Sequence, residues 1–258
     1  MNFYRIIAFV FLISIISISG VAQTNKAIAS ELRGHLNRLS KNVGNEKALD
    51  RENKLLKQKL IKYGKRASTL KYSFSELDGQ MYIATSKDGR FRIYSWDTKT
   101  GGTMKFFDGI YQYKNSRGKV YSKPYQASRD FAARGFYSQI FEVNTGTGKA
   151  YLANSNLILS NAMMHQDLEA FAIEGAKLNT DLRLIRTTTA MRNSVGFDYD
   201  FFSVVDRPER PVKLFSYDET KKQFSFPIVL KDKKFPNGGR VTNKFITYRF
   251  NGKYFVKI

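Results

Sequence analysis

From Tyr72 to Ile258 the apolar residues recur at every second position, and glycine- or asparagine-bearing turns interrupt them at short intervals. A period of two places alternate side chains on opposite faces of a sheet, so this pattern folds by pairing neighbouring segments as antiparallel strands. The stretch Gln80–Met104 sets the formula of aromatic strand, turn and aromatic strand. Asp88-Gly89 predicts a two-residue hairpin turn, since the favoured turns need φ > 0, which Gly adopts freely and Asp tolerates. A second turn is expected at Thr100-Gly101-Gly102. Alternation puts Phe91, Ile93 and Ser95 on one face of the second strand and Arg92, Tyr94 and the single tryptophan, Trp96, on the other.

The same reading gives strands at Lys105–Phe107 and Ile110–Tyr113 around a turn at Asp108-Gly109, with a short one at Val120-Tyr121. Phe136–Val143 and Ala150–Asn154 pair across Asn144–Lys149, and Leu157–Leu159 extends that ladder. Leu168–Ile173, Leu182–Thr187 and Phe197–Val205 follow; Pro208 and Pro211 then bar a central strand. Val212–Tyr217 pairs with Gln223–Leu230, and Val241–Phe250 with Lys253–Ile258 through a two-residue turn at Asn251-Gly252. Pro124–Arg134 reads as an irregular loop or short helix, and Asn161–Gln166 as a turn. The expected fold is all-β, mainly an antiparallel meander of about a dozen strands. It is propeller-like, or a large sandwich or barrel, and a helical segment precedes it. The hairpin at Ser86, Asp88 and Trp96 resembles an Asp-box, the Ser-x-Asp-x-Gly-x-x-x-Trp turn of some propellers. Here Gly89 directly follows the aspartate and the tryptophan comes later than the motif places it, and a single copy assigns no family.

Three regions are expected: a leader over 1–22, a basic amphipathic helical segment over 23–70 and a β domain over 71–258. Arg5, the apolar run Ile6–Ile18 and the small residues Gly20-Val21-Ala22 form a signal-peptide pattern with Gln23 as the mature terminus. The run is shorter than the roughly 20 residues a bilayer-spanning helix needs. Export to the periplasm, the outer-membrane surface or the medium is the expected destination. The chain contains no cysteine, so no disulfide supports it there and stability rests on buried area. Its 21 Phe and 15 Tyr supply that area.

Ile28, Leu32, Leu36, Leu39 and Val43 share one helical face, with Thr24 or Asn25 as cap and a break at Asn42–Asn45. Leu49, Leu56, Leu60 and Tyr63 continue as a second apolar stripe that also carries Asn53, a residue type able to set register between helices. Nine basic residues lie between Lys47 and Lys71, against Asp50 and Glu52. A cationic amphipathic helix of this kind lies on a membrane surface, binds an acidic partner, or presents a solvated face.

Charge is the strongest global feature: 43 basic and 22 acidic side chains, a formal +21. Only Arg5 among these precedes Gln23, so the remainder carries +20. Such a field draws acidic partners over a Debye length. Outside the cytoplasm these are an acidic protein, an anionic polysaccharide or lipid head groups; export argues against nucleic acid. The oligomeric state is open.

Chemistry-bearing patterns are sparse. His35 and His165 are the only histidines, and their spacing suggests neither a zinc set nor a catalytic triad. No phosphate-binding glycine loop occurs, so no metal or cofactor is expected. Asp198 and Asp200 share a strand face about 7 Å apart, a separation near that of inverting glycosidases, with Glu142, Glu169 and Glu174 on other strands. The aromatic and cationic set Tyr82, Arg90, Arg92, Tyr94, Trp96, Tyr111 and Tyr113, with Tyr121, is the leading candidate binding face, because aromatics and Arg dominate interaction hot spots. The leading expectation is an exported non-catalytic binding protein for an acidic protein or anionic envelope polymer, inhibitor- or immunity-like in its most concrete form. The alternatives are a glycan hydrolase using Asp198 and Asp200, and a structural envelope component that oligomerises through its helices.

Overall fold

The computed structural model describes residues 23–125, 135–146 and 148–258. The leader expected over 1–22 and residues 126–134 of the expected loop lie outside the described residues. Helices α1 (Asn25–Lys41), α2 (Glu46–Tyr63) and α3 (Ala67–Lys71) come first. The strands are β1 (Tyr82–Thr85), β2 (Phe91–Asp97), β3 (Phe107–Lys114), β4 (Val120–Pro124), β5 (Phe136–Thr145), β6 (Gly148–Ile158), β7 (Met163–Glu174) and β8 (Lys177–Asn179). There follow β9 (Ile185–Arg186), β10 (Met191–Arg192), β11 (Ser194–Asp200), β12 (Ser216–Asp218), β13 (Gln223–Leu230), β14 (Arg240–Phe250) and β15 (Phe255–Lys257). A 3-10 helix, Phe201–Val204, follows β11.

The chain adopts the expected class, a mostly antiparallel all-β architecture that includes a half-barrel sheet, behind an N-terminal helical segment. The first sheet runs β1-β2-β3-β4, the second β11-β7-β6-β5 with β8 beside β7, and the third β10-β9-β15-β14-β13-β12. One pair, β15 with β9, is parallel. No described helix is long and apolar enough to cross a membrane.

Side-chain alternation stacks these elements in layers. Thr24 caps α1 by accepting from the Ala27 amide, and Asn45 caps α2 by accepting from that of Ala48, so the break falls where the sequence places it. The helix stripes Ile28, Leu32, Leu36 and Leu39, and Leu49, Leu56, Leu60 and Tyr63, close over Tyr94, Trp96 and Ile110 of the first sheet. The other face of that sheet, Phe91, Ile93, Tyr111 and Tyr113, packs on Tyr137, Tyr151 and Phe171 of the second. The reverse of the second sheet, Leu152, Leu168 and Ala170, packs on Phe224, Phe226, Tyr248 and Phe255 of the third. The first two sheets are therefore covered on both faces.

Several local expectations change. The β1–β2 connection is a longer loop, not a two-residue turn: Ser86 N–H donates to the Phe91 carbonyl at 2.8 Å and Gly89 N–H to that of Ser86 at 2.9 Å. Gly89 takes φ 62°, so the Asp-Gly signal marks the left-handed position, and strand pairing sets the loop length. Asp108-Gly109 is not a turn at all, because β3 runs straight through it with Gly109 opposite Ser95. A glycine is required there because a Cβ would meet the Tyr125 ring at 2.2 Å and the Tyr94 carbonyl at 2.3 Å. The terminal hairpin also has a longer loop, in which the Asn251 side chain accepts from the amides of Lys253 and Tyr254 at 3.0 Å each. Asn161–Gln166 is only partly a turn, since β7 begins at Met163 and places His165 on a strand. The alternation of Phe197–Val205 ends at Asp200, whose carboxylate caps the following 3-10 helix. The strands expected over Leu182–Thr187 and Val212–Tyr217 shrink to β9 and β12.

Candidate functional site

The aromatic and cationic face of β2 is interior. Arg92, Tyr94, Trp96, Tyr111 and Tyr113 are all buried, while Arg90 is half-buried and Tyr82 is 38% exposed. Arg92 donates from Nε to Thr85 Oγ1 at 2.7 Å and from Nη1 to the carbonyls of Thr69 and Tyr72 at 2.8 and 2.6 Å. That fork fastens α3 to the first sheet. Tyr94 donates to Gln112 Oε1 at 2.8 Å, and Tyr113 donates to the Ala176 carbonyl at 3.0 Å from the opposite face of the sheet. Arg90 Nε contacts the Lys114 carbonyl at 3.3 Å. The expectation of one shared, accessible face is corrected. Arg92, Tyr94 and Trp96 do share a side, but α1 and α2 cover it, while Tyr111 and Tyr113 face the second sheet.

The expected carboxylate pair is divided between two structural tasks. Asp200 is buried and accepts from the amides of Phe202 at 3.0 Å and Asn237 at 3.3 Å. Asp198 accepts from His165 Nδ1 at 2.6 Å, and Asp167 takes Nε2 at 2.9 Å. Burial works against a charge on His165, but hydrogen bonds and charge from Asp167 and Asp198 outweigh it and raise its pKa to about 9. An imidazolium clamped at both nitrogens is an ion-pair centre joining β7 to β11, with no nitrogen left to act as a base at neutral pH. Beside it, burial and the Asp167 charge push Glu169 up to about 8 against hydrogen bonds from Tyr137 and Ser155. Tyr137 reaches both Glu169 oxygens at 2.9 Å. His35 has a structural role as well, since it and Arg38 Nε both lie 2.9 Å from Glu52 Oε2 in the helix interface. Hydrogen bonds and charge from Arg38 and His35 overcome burial and hold Glu52 below the usual carboxylate range. Among the described residues no group of three or more His, Asp or Glu is arranged to hold a metal ion.

The cations of α2 and of the turn after it fall into two sets. Lys47, Arg51, Lys54, Lys62 and Lys65 are exposed. At 100° per residue the four on α2, Lys47, Arg51, Lys54 and Lys62, lie within about 80° of one another, opposite the buried Leu49, Leu56 and Leu60. At the margins of this crest, Lys57 pairs with Asp108 of β3, and Lys59 pairs with Glu31 of α1 at 2.6 Å. Burial would raise the Glu31 carboxyl, but hydrogen bonds from Lys59, Tyr63 and Gln23 draw it down to about 2. On the crest itself Arg51 comes no closer than 3.9 Å to Glu52, and the four lysines have no carboxylate partner among the described residues. The helix is therefore neutralised along its flanks and positive along its summit, over roughly 22 Å from Lys47 to Lys62 at 1.5 Å per residue. Its apolar stripe is occupied inside the protein, so neither membrane insertion nor coiled-coil pairing has that stripe at its disposal. The count of nine cations was plain in the sequence; which of them stay unpaired was not.

Among the clefts of the described surface three concern the residues above. One of about 560 Å³ lies between β1, the ends of β5, β6 and β7, and Arg210–Val212. A polar one of about 410 Å³ surrounds Lys87, Asp88 and Glu142, and a third of about 200 Å³ lies beside Tyr82, Lys99 and Lys105. None of the three is lined by His165, Asp167, Glu169 or Asp198. Beside the polar cleft Lys149 bridges two of its lining residues, Asp88 at 3.0 Å and Glu142 at 2.5 Å, which fastens the Asp-box-like loop to the second sheet. No protein-family model matches the sequence, and neither the curated proteins nor the solved structures provide a match.

Proposed function

We propose that the chain is an exported, non-catalytic binding protein that engages a linear anionic polymer of the cell envelope through the summit of α2. The observation that carries this reading is the sorting of cations on one helix: those at the flanks are satisfied by Asp108 and Glu31, and those on the crest are left to solvent. A row of solvent-facing cations, its lysines without a carboxylate partner among the described residues, complements a polymer with regularly spaced anions, and the formal +21 of the chain extends the attraction beyond contact range. The signal-peptide pattern over 1–22 and the absence of cysteine support export. The tight engagement of Asp198, Asp200 and His165 within the fold favours binding over glycan hydrolysis.

The test is salt elution from an immobilised sulfated polysaccharide, comparing the mature chain with a Lys54→Glu/Lys62→Glu variant. The expected result is earlier elution of the variant with an unchanged melting temperature, since both residues are exposed. Equal retention overturns the reading, and selective retention on an immobilised acidic protein instead of the polysaccharide replaces the polymer with a protein partner.

A further inference from the structure

We infer that the cleft beside β1 is a binding site for an anionic amphiphile with a single acyl chain. Met81, Ile83, Phe136, Ile158, Met164 and Phe201 line the 560 Å³ cleft, a size and composition usual for small-molecule sites. Apart from Asp78, which is exposed, its polar groups are largely committed elsewhere. Asn156 donates to Ser138 Oγ at 2.9 Å, and Arg210 spends its guanidinium on the carbonyls of Val205, Arg207 and Glu209 while lying over Phe201. The interior thus offers an apolar wall with few open hydrogen-bonding groups, which suits a hydrocarbon chain better than a sugar.

Gly79, Tyr82 and Ile158 also line the 200 Å³ cleft, so the two spaces meet across the Tyr82 ring, which is stacked 3.7 Å from Phe136. Two lysines stand at that end. Lys99 is paired with Asp97 at 3.0 Å, whereas the Lys105 ammonium has no partner among the described residues. A chain seated against Met164 and Ile158 therefore leaves its head group at an unpaired cation. The geometry selects an amphiphile that is negative at one end only. This site is separate from the α2 crest, and its failure leaves the polymer reading untouched.

Calorimetry of the mature chain with octanoate, decanoate and dodecanoate below their micelle concentrations tests the site, with decanol and decyltrimethylammonium as neutral and cationic counterparts. Affinity is expected to rise about fourfold per methylene until the cleft is filled. Met164→Trp, which fills the cleft, is expected to weaken decanoate and decanol alike by at least tenfold. Lys105→Glu, a partly exposed site that leaves the fold intact, is expected to weaken decanoate about tenfold and leave decanol unchanged. Absence of decanoate binding overturns the inference. So does decyltrimethylammonium binding as tightly as decanoate, or a Lys105→Glu variant that binds decanoate like the parent.

Discussion

Asn53 of α2 accepts a hydrogen bond from the indole Nε1 of Trp96 at 2.9 Å, while its own amide donates to the carbonyls of Leu49 and Thr98, each at 2.9 Å. One polar residue on an otherwise apolar helix stripe thus satisfies the only tryptophan, which is fully buried, and ties the helix layer to the first sheet. In sequence this residue suggested helix–helix register; in the structure it sets helix–sheet register. Asn53→Leu keeps the branched shape of the side chain but leaves the indole N–H and the Thr98 carbonyl without these partners. A loss of about 1–3 kcal/mol is expected. Denaturant unfolding followed by the emission of this single tryptophan measures it, and an unchanged midpoint would contradict the role given to Asn53.

Two glycines that look alike in sequence should respond differently. Gly109→Ala forces a methyl into the Tyr125 ring and the Tyr94 carbonyl, and the second of these is backbone in a paired strand. At least about 3 kcal/mol of destabilisation is expected. Gly89→Ala meets open space and bears only the left-handed backbone cost, about 1 kcal/mol. Thermal melts of the two variants side by side check the ranking; equal losses would mean that β3 does not run through Gly109.

Stability should decline on the alkaline side. The folded pKa of His165, about 9, lies above its ordinary 6.5, so its contribution is complete below pH 6.5 and disappears as pH rises through 9. Glu169, raised from 4.5 to about 8, acts in the same direction, favouring the fold at low pH and losing that advantage as the group ionises. Glu31, lowered to about 2, does the opposite and stops contributing as pH falls from 4.5 towards 2. The maximum is therefore expected near pH 4.5, between the ranges in which Glu31 and Glu169 act, with several kcal/mol lost by pH 9.5. Urea midpoints across this range check the curve. Glu169→Gln, which stays neutral, should flatten the segment between pH 5 and 8 and unfold later than the parent at pH 9.

Much of the architecture was legible because it follows from local rules. Thr24 and the Asn42–Asn45 break bound the first helix where capping chemistry puts them, and Phe91 and Arg92 do point to opposite sides of β2. The errors cluster where one local signal serves two geometries. Asp88-Gly89 and Asn251-Gly252 promised left-handed turns, but the number of residues in each loop follows from which strand residues pair. Asp108-Gly109 carried the same dipeptide for another purpose, making room for a tyrosine ring in mid-strand. Tyr94 and Trp96 could be assigned to a face of β2, but not to the surface or the interior, since only the arrival of α1 and α2 decides that.

Helix and strand periods, caps, the excess of cations and the absence of cysteine were all determined by the chain as written, because each depends on neighbours within a few residues or on composition alone. Tertiary structure decided which surfaces meet: that both faces of the β2 sheet are interior, that His165 is held between Asp167 and Asp198, and that Lys57 and Lys59 are neutralised while Lys54 and Lys62 are not. Burial and ion pairing belong to pairs of surfaces brought together across long stretches of chain, and no periodicity within one segment records its partner.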